Sequence, residues 1–122
     1  MKWLFKTEPS DYSFERLVKD KKTVWTGVKN ALALQHLRKV KRGEEIAIYH
    51  TGGEKSVVGV ARATADAKGD AVVIAPVKAV DPVPLSAIKA DPRFKEFPLV
   101  TFGRLSVMPV PDALWGPLTG NR

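Results

Sequence analysis

No cysteine occurs among the 122 residues, so a disulfide scaffold and a thiolate zinc site are both excluded, and only His36 and His50 offer imidazole to a metal. No metal and no cofactor is expected. No apolar run approaches the ~20 residues of a membrane-spanning helix, and Met1-Lys2-Trp3-Leu4-Phe5 meets charge too soon for a secretory leader. These absences predict a soluble cytoplasmic protein with no membrane partner. A Gly-rich phosphate loop, a Gly-x-Ser-x-Gly elbow and a His-Glu-x-x-His zinc helix are also missing, which removes the common catalytic classes. There is no internal repeat or long linker, and the length suits one domain over residues 1–122, expected as a monomer.

Acidic residues are in deficit: 13 Asp and Glu stand against 20 Lys and Arg, a net charge of +7. The imbalance is concentrated in residues 1–55, which carry 12 basic and 7 acidic side chains. Such a surface is compatible with nucleic acid, because neutralising phosphates releases counterions; it also serves solubility alone.

The elements read as follows. Lys2–Lys6 alternates polar and apolar residues as a half-buried strand does. Ser13 or Asp11 caps a short helix whose inner face holds Phe14, Leu17 and Val18. Asn30 opens a second helix with a stripe through Leu34, Leu37 and Val40 or Lys41, and Gly43 ends it. Strands are expected over 45–50, 56–63, 71–80 and 104–110. Gly59 interrupts the second of these and marks a bulge or a close backbone approach, and Pro76 marks an edge or a bulge. Asp81-Pro82-Val83-Pro84 breaks the chain, 85–90 is a helical turn, 91–98 is irregular, and 111–122 is packed coil. Five strands with a few short helices predict an α+β fold around a curled sheet.

Chemistry concentrates near the N-terminus. Lys6, Thr7, Glu8, Ser10 and Tyr12 leave the end of the first strand, and Trp25-Thr26-Gly27-Val28-Lys29-Asn30 precedes the second helix. Trp25 offers either a core ring or a flat face on which a base stacks. Gly27 and Val28 allow the backbone to approach a ligand closely. Asn30 serves as an N-cap or reads a base edge, and one oxygen does not easily do both. Lys6 and Glu8 share a strand face and form an ion pair or line a pocket. His50 is a hydrogen-bonded structural residue or a base, and Arg104 meets a phosphate or snorkels from an apolar face.

Taken together, Trp3-Leu4-Phe5-Lys6-Thr7-Glu8-Pro9-Ser10-Asp11-Tyr12-Ser13, Trp25-Thr26-Gly27-Val28-Lys29-Asn30, Tyr49-His50, Val58-Gly59-Val60-Ala61 and Arg104-Leu105-Ser106-Val107 resemble the EVE domain family in order and spacing. The resemblance implies a PUA-like small curled β-barrel, related to the YTH domains that read methylated adenine in RNA. It further implies a non-catalytic module that reads a modified base, a modified cytosine or adenine in DNA or RNA, in an aromatic pocket. On that resemblance Trp25 stacks on the base, Lys6, Thr7, Glu8 and Ser10 form a polar wall, Asn30 and His50 complete it, and Tyr12 or Trp3 adds a second aromatic face. Lys21, Lys22, Lys29, Arg38, Lys41 and Arg42, with Arg104, hold flanking phosphates. The short loop 51–55, the segment 64–70 and an abbreviated C-terminus depart from the family pattern. Two alternatives remain: an ASCH-type hydrolase of a modified nucleoside using Lys6, Thr7 and Glu8, and a protein-interaction scaffold.

Overall fold

The computed structural model describes residues 1–120. Six strands form one sheet in the order β2-β5-β4-β3-β1-β6: β1 Lys2–Thr7, β2 Thr23–Trp25, β3 Glu45–His50, β4 Ser56–Ala63, β5 Val72–Pro84 and β6 Val107–Val110. All neighbours run antiparallel except β1 and β3, whose register runs from Lys2 opposite Glu45 to Thr7 opposite His50. A parallel pair needs a crossover. Here the crossover carries α1 Phe14–Asp20, β2 and α2 Ala31–Leu37.

The sheet curls strongly. Three strands separate β1 from β2 in the sheet order, yet the Phe5 and Trp25 rings lie 5.4 Å apart. Register shifts between Ile48 and Tyr49, between Val57 and Gly59, and between Val60 and Ala61 bend the central strands, since a bulge raises local twist. Gly59 has the close approach its sequence setting suggested: the Phe14 ring occupies the place a β-carbon would fill. The core inside this curl includes Trp3, Leu4, Phe5, Phe14, Ile46, Ile48, Ile74 and Met108, each such aliphatic or aromatic side chain contributing roughly 1.5–3 kcal/mol on burial.

Local capping follows the sequence in part. Ser13, not Asp11, caps α1, its Oγ accepting from the Arg16 N–H at 3.1 Å. Val18 is 51% exposed and lies outside the inner face assigned to it, leaving Phe14 and Leu17 buried. α2 ends at Leu37 with Arg38 as its C-cap, short of Gly43, which turns the chain before β3 at φ 87°. The buried residues of the helix are Ala33 and Leu37, and Leu34 is half-buried; Val40, buried, and Lys41, exposed, lie beyond its end.

Four further expectations are corrected. The strand count is six, because β2 has only three residues and so shows no readable alternation. β5 continues through Asp81-Pro82-Val83-Pro84; beyond Ile74 it has β4 on one side only, and an open edge tolerates prolines. The span 91–98 is partly ordered as a 3₁₀ turn at Pro92–Phe94 capped by Asp91, followed by α4 Pro98–Thr101 after α3 Leu85–Ala90. The tail forms α5 Asp112–Leu118 instead of coil, while Asn121 and Arg122 lie outside the described residues.

Glu44 pins the start of β1 to the α2–β3 loop. Its carboxylate accepts from the Trp3 indole N–H at 3.0 Å and the Lys41 N–H at 2.7 Å and contacts the Met1 ammonium at 2.9 Å. Burial alone would raise its pKa, but these donors outweigh it and hold the carboxyl below its ordinary value of 4.5. A folded-state pKa below the unfolded one stabilises above the unfolded value, and that contribution disappears as pH falls through the folded one. Thermal melts should therefore show the wild type losing stability below about pH 4.5, with Glu44→Gln losing less over the same interval; equal losses would contradict the assignment.

Candidate functional site

The C-terminal end of β1, the crossover and the turn before β6 converge on a cleft of about 610 Å³. That size lies within the roughly 300–1,000 Å³ of small-molecule sites. Its walls come from Lys6, Thr7, Glu8, Asp11 and Tyr12 on one side, Thr23 to Asn30 on another, and Arg104 with Ser106 on the third. Segments distant in sequence meet here because the curl brings the β2 edge round to β1.

Trp25 is both core and cleft wall. Only 9% of it is exposed, with its ring tilted 43° against Phe5 and meeting Tyr12 edge-on at 6.2 Å. It is therefore a fixed apolar floor and not a free plate. Tyr12 is the second aromatic of the cleft; Trp3 is 1% exposed and hydrogen-bonded to Glu44 away from it. The Tyr12 hydroxyl donates to Asp20 at 3.0 Å, Arg16 lies 5.7 Å from the ring centre, and burial, with the Asp20 charge, raises the phenol pKa.

Asn30 resolves its two roles by dividing its amide. The Oδ1 accepts from the Ala33 N–H at 3.0 Å and so caps α2. Among the described residues the amide nitrogen donates to no protein group, and Asn30 lines the cleft, so the donor half remains for a ligand. Gly27 turns the chain at φ 79°, a left-handed value that suits glycine, and Val28 follows it along the wall.

The polar residues after β1 diverge. The Thr7 hydroxyl donates to the Tyr12 carbonyl at 2.7 Å, Glu8 accepts from Thr51 at 3.1 Å, and the Lys6 ammonium donates to the Gly103 carbonyl at 2.9 Å. Among the described residues Lys6 and Glu8 form no ion pair, since the strand ends at Thr7 and Glu8 turns away to the Gly52 loop. Lys6, Thr7 and Glu8 all line the cleft, yet among the described residues no hydrogen bond joins Thr7 to Lys6 or Glu8, the contact by which a base would activate the hydroxyl in the hydrolase alternative.

Two expected wall residues lie elsewhere. Ser10 is exposed and outside the lining, carried off by the turn after Pro9. His50 is 6% exposed and faces a different cavity; its Nε2 accepts from the Phe14 N–H at 3.0 Å while Nδ1 meets Glu54. His50 and its register partner Thr7 thus clamp the segment Tyr12–Phe14 from behind. The structural alternative for this histidine is the one the contacts support.

Of the proposed phosphate ligands, Lys29 and Arg104 line the cleft. Arg104 lies in the turn before β6 and not on a strand. Lys21, in a left-handed C-cap, and Lys22 immediately precede the wall residue Thr23 but do not themselves line the cleft. Arg38, Lys41 and Arg42 are not among the residues that line the cleft: Arg38 is the C-cap of α2, and Lys41 and Arg42 lie in the turn before β3. Arg38 binds Asp70 with Nε at 2.9 Å. Asp11, Thr23, Val24 and Ser106 are wall residues that sequence spacing alone did not single out.

Among the described residues no helix is long and apolar enough to cross a membrane. No curated protein matches the sequence significantly. Among solved structures, Rpa0253 of Rhodopseudomonas palustris is 33% identical, with a TM-score of 0.91 over 98% of this chain and 91% of that one. A Pseudomonas putida protein is 30% identical, with a TM-score of 0.93 over 99% of each chain. Human THYN1, solved in complex with DNA containing 5-methylcytosine, shares the fold at 23% identity and a TM-score of 0.89, over 98% of this chain and 95% of that one. The α+β, PUA-like class expected from the sequence is therefore the fold observed, with six strands. The EVE domain model matches residues 1–119, and the chain belongs to the EVE domain family.

Proposed function

We propose that the protein is a non-catalytic nucleic-acid-binding module that accepts a single modified base, in DNA or RNA, into the 610 Å³ cleft. The observation that carries this is the convergence, on one concave surface, of an apolar floor at Trp25, an aromatic edge at Tyr12, an uncommitted amide donor at Asn30 and the cations Lys29 and Arg104. A base taken out of its stack needs that combination: apolar surface for its ring and hydrogen bonds for its edge. The binding of methylated DNA by human THYN1, a protein of the same fold, supports the same use of this one.

The geometry supports the following roles. Trp25 and Val28 contact the ring and any added methyl group, a single buried carbon favouring the modified base by about 0.8 kcal/mol, or roughly fourfold. The Asn30 amide nitrogen donates to an acceptor on the base edge. Lys29 and Arg104 hold the flanking backbone, which positions the base but conveys no sequence preference.

Asn30→Ser gives a selective test, because serine caps a helix about as well as asparagine but supplies no amide donor. The melting temperature should stay within about 2 °C of wild type, while affinity for an oligonucleotide bearing the preferred modification falls about tenfold, as loss of one such hydrogen bond requires. Titrations with matched modified and unmodified strands at fixed salt measure this. Unchanged affinity with unchanged stability would remove Asn30 from the site.

A further inference from the structure

Sharing Lys6 with the base cleft is a smaller cavity of about 230 Å³, below the range of small-molecule sites and fit for a single charged group. Three lysines line it: Lys6 from β1, Lys55 from the β3–β4 turn and Lys89 from α3. Among the described residues no carboxylate lines it, and none of the three lysines is in an ion pair. Glu8 lies behind this wall, its carboxylate accepting from Thr51 and packing against Gly52, and itself lines the base cleft. Like charges gathered without a counterion repel one another, an arrangement that an anion would relieve.

The backbone supports the same conclusion. Lys55 has φ 44°, a left-handed value that is unfavourable for a residue with a side chain, and its carbonyl is held there by the Leu85 N–H at 2.7 Å. Such strain at a lysine on a cavity rim points to placement of its side chain. Lys6 has its ammonium on the Gly103 carbonyl and 6.0 Å from the Tyr49 ring, both of which line this cavity, and burial lowers its pKa.

From the three lysines that line it, the absence of any acidic residue from that lining and the strained Lys55, we infer that this cavity is a phosphate-binding site. Because Lys6 lines both cavities, its natural occupant is the backbone phosphate next to the base held in the cleft, so this part rests on the proposed function. None of these three lysines is among Lys29 and Arg104, the cations of the cleft mouth, so the site adds a second anchor and fixes the direction of the strand across β1.

The test uses the intact protein and the charge-removing double variant Lys55→Gln/Lys89→Gln, both positions being exposed so that folding is retained. Single-stranded oligonucleotides, modified and unmodified, are titrated from low to moderate salt, and inorganic phosphate is titrated separately against the amide resonances of Lys55, Leu85 and Gly103. The expected result is a fall of about 0.7 in the slope of log affinity against log salt, as loss of one phosphate contact gives, with affinity at low salt reduced about tenfold and equally for both strands. Saturable shifts with inorganic phosphate, absent in the double variant and accompanied by an unchanged oligonucleotide slope, would assign the site to free phosphate instead. If neither the slope nor the phosphate shifts depend on the two lysines, the inference is overturned. A lower slope in a protein that shows no base preference would retain the phosphate site and reject the base-reading function.

Discussion

Gly59→Ala should lower the melting temperature by roughly 10 °C, the equivalent of about 3 kcal/mol in a domain of this size. A β-carbon at position 59 would overlap the Phe14 ring. That ring has little room to retreat. It is buried, its backbone N–H is held by His50 and the preceding residue caps α1, so displacing it means moving the start of the helix. Most glycine-to-alanine changes in a strand gain from the loss of backbone freedom in the unfolded chain; here the collision outweighs that gain. The double variant Gly59→Ala/Phe14→Leu, which trims the ring, should recover more stability than Phe14→Leu loses alone. Calorimetry of the four proteins checks the coupling, and additive effects would show that the two residues do not meet.

Trp25→Ala should have the largest effect on binding and a large one on stability. Removing a tryptophan packed on Phe5 and Tyr12 costs about 3–5 kcal/mol by cavity formation. It also removes the cleft floor, so discrimination between modified and unmodified strands should vanish while salt-dependent binding through Lys29 and Arg104 persists. Trp25→Phe separates the two consequences, since it retains an aromatic core residue. It should unfold within about 1–2 kcal/mol of wild type yet lose part of the preference for the modified base. A Phe variant with wild-type preference would show that the ring serves packing alone.

How much of this was visible in the sequence depends on how local each signal is. The caps at Ser13 and Asn30, the approach at Gly59 and the bulge beside Pro76 were legible because each depends on a residue type at one position. β2 was not, since three residues carry no period, and its place is set by pairing with Val72 to Ile74. Gly116 and Pro117 disguised α5, which forms because its start at Asp112 follows Pro111 and its end closes on Thr119.

The cleft shows the same division. Thr7, Glu8, Tyr12, Trp25 and Asn30 stand in two sequence clusters, and the fold brings those clusters together. The side of β3 to which His50 points depends on its register with β1, which no local pattern reports. Arg104 and Ser106 join the site only because the segment before β6 runs alongside β1, where the Lys6 N–H donates to the Ser106 carbonyl at 2.9 Å. Arg38, Lys41 and Arg42 were drawn toward the site by charge alone, and charge carries no positional information.

The most direct measurement follows the Trp25 indole N–H by nuclear magnetic resonance, assigned with Trp25→Phe, as two oligonucleotides differing in one base modification are added at the same salt. The account predicts a saturable shift of that resonance together with those of Tyr12 and Asn30, at lower concentration for the modified strand. Shifts confined to surface lysines and equal for the two strands would contradict it.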